Sequence, residues 1–305
     1  MAKELETRPD RTEGRDGLTK GIAENTRIAA RLRTYADLLA AQDADVFRIR
    51  AYRAAADKID ALGRPLRDLH DAEGIGGLIA LPTVGGGIAN AIAEMLTSDR
   101  WAQLDRLKGE VVPERLFRTL PGVGSVLADR FATMLDAQTL EDLEARLHDA
   151  AMSVPGLGPR RRQAILAALS QRLAPIRRAR GPAHPIASPP VSLLVEADAL
   201  YRQRAQAGEL RLIAPQRFNP DGTAWLPVMH LRRGDWHLTL LYSNSARAHE
   251  LGRVRDWVVI YFHHFDGPEA QATVVTETHG ALVGQRVVRG REEDCAAHYA
   301  NVGKV

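Results

Sequence analysis

The sequence predicts two structural classes in one chain: an all-α, helix-hairpin-helix N-terminal region and an α+β C-terminal domain with an antiparallel sheet. Three observations carry this. Apolar residues recur at steps of three and four as far as Leu173. A turn of the form apolar-Pro-Gly-apolar-Gly recurs within that stretch. Beyond the proline-rich segment GPAHPIASPP (181–190), the apolar runs become short, β-rich and punctuated by Gly and Asp.

Residues 1–22 alternate acids and bases without an apolar stretch, which reads as a disordered charged tail and not as a secretory signal. A helical domain follows over 23–110. Asn25 is placed to cap a helix carrying Ile28, Leu32, Tyr35, Leu38 and Leu39. A second helix from Asp45 carries Phe47, Ala51, Tyr52, Ala55, Ile59 and Leu62 on its buried side, and Gly63 and Pro65 end it. A tandem helix-hairpin-helix domain is expected over 111–175 and a Pro/Arg-rich linker over 176–191. In 192–305, Ala224–Leu231, Trp236–Tyr242, Trp257–Phe262 and Thr273–Thr276 read as strands. Arg233-Gly234-Asp235 and Asp266-Gly267-Pro268 are the expected connections, with helices near 193–207 and 291–300.

The repeated turn is Leu81-Pro82-Thr83-Val84-Gly85-Gly86-Gly87, then Leu120-Pro121-Gly122-Val123-Gly124-Ser125-Val126, then Val154-Pro155-Gly156-Leu157-Gly158-Pro159-Arg160. Reversing a chain in so few residues needs a backbone conformation that glycine adopts at least cost. The second glycine leaves the next helix's first amides uncovered, and these with the positive helix end favour a phosphate oxygen. Such a turn reads backbone and not bases. The candidate phosphate contacts are Gly85, Gly87, Gly122, Gly124, Ser125, Val126, Gly156 and Gly158, joined by Arg160, Arg161 and Arg162. The first copy has Thr83 where glycine is expected.

Charge agrees with this placement. The net charge is +3 over 305 residues; residues 1–180 hold 28 basic and 25 acidic side chains, and 181–305 hold 13 of each. Seven arginines and no acid lie between Gly158 and Arg180. No apolar run approaches the roughly 18 residues of a membrane helix. The single thiol, Cys295, excludes an internal disulfide and reads as a buried small residue. These features assign the chain to the cytoplasm, on the nucleoid, with DNA as partner and no cofactor or metal.

Asn25–Leu39, Phe47–Ala55 (FRIRAYRAA) and the three placed turns resemble the N-terminal region of bacterial family X DNA polymerases. The resemblance implies an all-helical module that grips gapped or nicked duplex by its backbone, a role in DNA repair, and 5′-phosphate contacts from Arg48, Tyr52 and Arg53. Two family features are missing. The position of the deoxyribose-phosphate lyase lysine, aligned through Leu81–Gly85, is Ala91, and a nearby phosphate-binding lysine is replaced by Gly87; neither forms an imine. No Gly-Ser turn followed by clustered aspartates marks a two-metal palm, and Glu196 and Asp198 read as surface acids on a helix.

The C-terminal domain resembles no family we can name. Tyr242–Glu250 and Arg286–Glu292 are its chemically dense segments, and together could make a phosphate or carboxylate pocket. Glu250, Glu277, Glu292 and His249 are the candidate catalytic groups of the alternative reading, a DNA end-processing enzyme or nuclease. The leading expectation is a sequence-nonspecific DNA-binding protein without polymerase activity.

Overall fold

A computed structural model describes residues 11–135, 137–149, 153–179, 187–265 and 267–302. The expected Asp266-Gly267-Pro268 connection and the linker therefore fall partly outside the described residues. The helical region opens with α1 (Arg11–Ala41), so residues 11–22, read as tail, belong to a helix. Its inward stripe is Ile28, Leu32, Tyr35 and Leu39. Helix α2 (Val46–Asp60) starts as expected at Asp45, whose carboxylate accepts from the amides of Phe47 (2.7 Å) and Arg48 (3.3 Å). Its buried face is Ile49, Tyr52, Ala55, Ala56 and Ile59. Phe47 and Ala51 lie off that stripe and are exposed, contrary to the sequence reading; Phe47 is 73% exposed.

Asn25 caps a different helix from the one expected. It sits inside α1, and its side chain crosses to α3 (Leu66–Ile79), accepting from the Leu66 amide (2.9 Å) and donating to the Arg64 carbonyl (2.9 Å). Its amide side chain suits a cap, but the orphan amide it satisfies is 41 residues away. Helices α4 (Gly86–Ser98) and α5 (Ala102–Leu107) complete this part.

The tandem hairpins comprise α6 (Pro113–Phe117), α7 (Ser125–Met134), α8 (Leu140–His148) and α9 (Pro159–Ala179). They enclose their own core, including Phe117, Phe131, Leu143, Ile165 and Leu169. Helix α9 takes in residues 176–179 of the expected linker.

The C-terminal part is a six-stranded antiparallel sheet in strict sequence order. Its strands are β1 (Arg211–Ile213), β2 (Leu226–Arg233), β3 (Trp236–Tyr242), β4 (Val258–His264), β5 (Ala270–Thr276) and β6 (Arg286–Val288). The two-residue turn Gly234-Asp235 joins β2 to β3, with Gly234 at φ 56°. Around the sheet lie α10 (Val191–Gln206), the short α11 (Ala246–Glu250) and α12 (Glu292–Val302).

Asp198 corrects the reading of a surface acid. It is fully buried on α10 and takes the Arg286 guanidinium in two hydrogen bonds (2.9 and 2.7 Å); Asp256 holds the same arginine at 2.7 Å. Glu196 is exposed, as expected. Cys295 is buried, its Sγ accepting from the Val288 amide at 3.3 Å.

The two halves share one core. Buried residues from Ile28 to Leu107 and from Val191 to Cys295 form a continuous cluster. Residues two apart on a strand share a face, and the register places Leu226, Val228 and His230 with Tyr261, Gln271 and Thr273 on one side of the sheet. That face meets the N-terminal helices. Arg106 lies 3.3 Å from the centroid of the Tyr261 ring and binds Glu269 through two hydrogen bonds (3.1 and 2.9 Å). His230 Nε2 bonds Gln42 Oε1 at 2.9 Å, and the Gln216 amide donates to the Gly109 carbonyl at 2.7 Å. Gly109 has φ 73°, and a Cβ there would stand 2.4 Å from the Ala214 carbonyl oxygen. Only glycine permits both the turn and this approach.

Candidate nucleic-acid interface

The three repeated turns have the same backbone. At the third residue of each, φ is positive: 70° at Thr83, 77° at Gly122 and 79° at Gly156. Proline precedes each, the pattern of a type II turn. The next amide closes it in every copy: Val84 to Leu81 (3.1 Å), Val123 to Leu120 (3.2 Å) and Leu157 to Val154 (3.0 Å). The following helix begins identically, with Ala89 to Gly85, Ala128 to Gly124 and Arg162 to Gly158, each at 2.9 Å. Val84 and Val123 are buried and Leu157 is half-buried, anchoring each turn to its core.

Thr83 therefore adopts the turn despite its Cβ, a costly backbone state for a β-branched residue. The first copy keeps the hairpin's shape with the wrong residue for it.

Gly85 and Gly124 occupy the N-cap positions of α4 and α7 in extended conformation, and no side chain caps either helix. Gly122, Gly124, Ser125 and Val126 are exposed, as are Gly156, Gly158, Arg160 and Arg161. Gly85 and Gly87 are half-buried. The second and third turns thus present helix starts to solvent more openly than the first.

These two turns are tied together. Arg161 Nε donates to the Gly122 carbonyl (3.1 Å) and its Nη1 to the Gly156 carbonyl (3.3 Å). Arg130, which the sequence did not single out, donates from α7 to the Pro155 carbonyl at 2.6 Å. Arg172 ties α9 to Thr119, bonding its hydroxyl at 2.8 Å. Arg161 thus orients the paired turns, while Arg160 stands exposed beside them. Long-range bonds of this kind carry no local pattern, so the triplet looked uniform in sequence.

The residues carried over from the resemblance divide. Tyr52 is a core residue, 6% exposed, with its ring centroid 4.8 Å from that of Tyr35 and 5.8 Å from Trp101. Arg48 is half-buried and donates to the Tyr35 hydroxyl at 2.7 Å. Arg53 is exposed but paired with Asp37 at 2.9 Å. The aromatic cluster claims Tyr52, removing it from the surface where a phosphate would lie. Ala91 is buried within α4, so the lyase position faces the core.

Apart from His249 and Glu250, neighbours on α11, the C-terminal candidates are spread over separate elements. Glu250 pairs with Arg247 (2.9 Å), and Glu292 accepts from the Gly290 amide (2.9 Å). Glu277 accepts from the amides of Thr278 and His279, which lower its pKa, and faces Arg289 at 3.5 Å. His249 bonds Asn244 Oδ1 at 2.6 Å and rests against Phe218; burial, then Arg217, lowers its pKa. The expected arginine pocket divides too, since Arg286 is locked by Asp198 and Arg291 by Asp294 (2.9 Å). His263 and His264, adjacent on β4, point to opposite faces of the sheet: one stacks on His237 (4.9 Å between centroids), the other packs against Trp236 (4.7 Å). Among the described residues, no helix is long and apolar enough to cross a membrane.

No curated protein matches the chain. Residues 23–101, which contain the first of the three turns, match the family model described as a helix-hairpin-helix domain.

Proposed function

We propose that the protein binds DNA without sequence preference, gripping the phosphate backbone through its hairpin turns, and acts in DNA repair on the nucleoid without polymerase activity. Gapped or nicked duplex is the expected substrate. The observation that carries this is the identity of the three turn backbones, two of them yoked by Arg161 with exposed helix starts. Two adjacent helix starts offer amide donors and positive dipole ends to neighbouring phosphates. Gly124, Ser125, Val126, Gly158, Arg160 and Arg162 form the proposed contact set. Gly85 and Gly87 are secondary, and Tyr52 serves the core.

A salt titration of binding to a gapped duplex tests the proposal. Engagement of about four to six phosphates gives a log–log slope of about −3 to −5. Salt-independent binding, or none, would refute it.

A further inference from the structure

Between α8 and the helix-facing side of the sheet lies a polar cleft of about 290 Å³. Arg146 and Asp142 line it from α8, and Arg289, Trp257, Gln271 and Thr273 from the sheet domain. Gln138 and Val259 also line a smaller adjoining cavity of about 70 Å³, which Arg217, Asn244 and Tyr261 help to form. We propose that this cleft binds an unpaired, phosphate-bearing nucleotide at the end of a DNA strand. The proposal rests on the DNA-binding reading for the source of that strand, though not for the chemistry of the cleft.

The charge distribution calls for an anion. Arg146 is exposed and has no acidic partner among the described residues, and Arg289 is 48% exposed with Glu277 at 3.5 Å. Glu277 already accepts from two backbone amides, at 2.7 and 3.2 Å. Asp142 accepts from the amides of Gln138 (3.2 Å) and Thr139 (3.1 Å) in a helix cap, which offsets its charge. In the adjoining cavity, Arg217 is 9% exposed, and its Nε lacks a hydrogen-bond partner although Glu114 lies 2.6 Å from Nη2. A buried guanidinium donor left unpaired favours an acceptor arriving from outside.

The remaining lining fits a nucleotide better than a bare ion. Trp257 offers a stacking surface, and Gln138 and Gln271 carry the paired donor and acceptor that base edges require. One wall is α8, which leads towards the third turn, where Arg162 reaches the Asp149 carbonyl. On this proposal a strand held at that turn enters the cleft along α8.

The test uses the full chain and tryptophan fluorescence, with 5′-phosphorylated dithymidylate, its unphosphorylated form, and thymidine monophosphate as probes. We expect saturable quenching by the phosphorylated dinucleotide. Trp257→Phe should abolish it, and Arg146→Ala with Arg289→Ala should weaken it at least tenfold without lowering Tm. No quenching by the phosphorylated probe, equal quenching by the unphosphorylated form, or full quenching in the double variant would overturn the proposal. Anisotropy on blunt duplex runs in parallel. Intact duplex binding without quenching overturns the cleft alone; quenching without duplex binding overturns the hairpin reading alone. A duplex with a phosphorylated overhang should bind more tightly than the blunt form, and no such advantage would overturn the strand-end assignment.

Discussion

Gly122 and Gly124 differ by two positions, and the structure assigns them opposite consequences on replacement by valine. Gly124 has φ −84° and ψ 177°, a conformation natural to valine, and a Cβ there meets nothing within 4 Å. Gly124→Val should therefore fold like the parent protein: restricting the unfolded chain favours folding by a few tenths to about 1 kcal/mol, and the poorer N-cap that valine makes offsets this by a similar amount. The new side chain stands at the N-cap, where a phosphate would approach the first amides of α7. A hydrogen bond to a charged group contributes about 1.5–3 kcal/mol, so losing one should weaken binding roughly 10- to 150-fold. Gly122 also has open space around it, but its φ of 77° costs a residue with a Cβ about 1–2 kcal/mol, and more for a β-branched one. The tandem hairpins have their own core, so this strain should lower the melting temperature of that unit by at least several degrees. Thermal unfolding by circular dichroism and anisotropy with a gapped duplex separate the two effects. Undiminished binding by well-folded Gly124→Val would refute phosphate contact at this turn.

Four further outcomes are expected. Thr83→Gly relieves the strained first turn but loosens the unfolded chain, for a net gain of about 0.5–1 kcal/mol that a raised Tm would register. His230 is pushed down to about 3, by burial first and then by Arg48 and Arg106. Below its unfolded pKa near 6.5 the unfolded chain takes up a proton that the folded one refuses, so stability falls as pH drops from 6.5 towards 3. The loss is roughly 2 kcal/mol from pH 7.5 to 5, and His230→Gln should flatten it in urea unfolding; an unchanged slope would contradict the assignment. Asp198→Ala deprives the buried Arg286 of its main partner and should cost about 3 kcal/mol or more, visible as a lower urea midpoint, whereas exposed Glu196→Ala should be nearly silent. Arg161→Ala removes the bond between the two turns; its affinity should fall further than that of Arg160→Ala if turn orientation matters as much as charge.

What the sequence made legible was local. Each turn closes within four residues, so its proline, glycine and apolar positions announce it without knowledge of the rest of the chain. Four of the six strands announced themselves by β-rich runs between turn residues; the three-residue β1 and β6 are too short to give such a signal. Contacts that close over long distances were hidden. Asn25 has the right chemistry for a cap, yet the spacing to Leu66 is fixed only once α1 and α3 pack. Within FRIRAYRAA, the same residues that suggest a phosphate grip also supply a helix's inward stripe, and the Tyr35–Trp101 cluster decides in favour of the core for Tyr52. A signal for the shared core was present: Leu226–Met229 and Leu238–Tyr242 are apolar with almost no alternation, as strands covered on both faces require. The cleft left no trace, since Arg146 and Arg289 stand on opposite sides of a linker that any local reading treats as a boundary.

The continuous core has a consequence for the chain's birth. The helices ending at Leu107 are complete early, but the sheet that covers them is finished only when β6 and α12 have been made. At about 5–20 residues per second, roughly 10–40 seconds pass between these events on the ribosome. During that interval the tandem hairpins can close their own core, while the older helices wait with apolar surface uncovered. Chaperone engagement of the nascent chain should therefore begin with the first helices and end only once β6 and α12 have emerged, and a chain halted near residue 190 should aggregate although every hairpin turn it needs is already present.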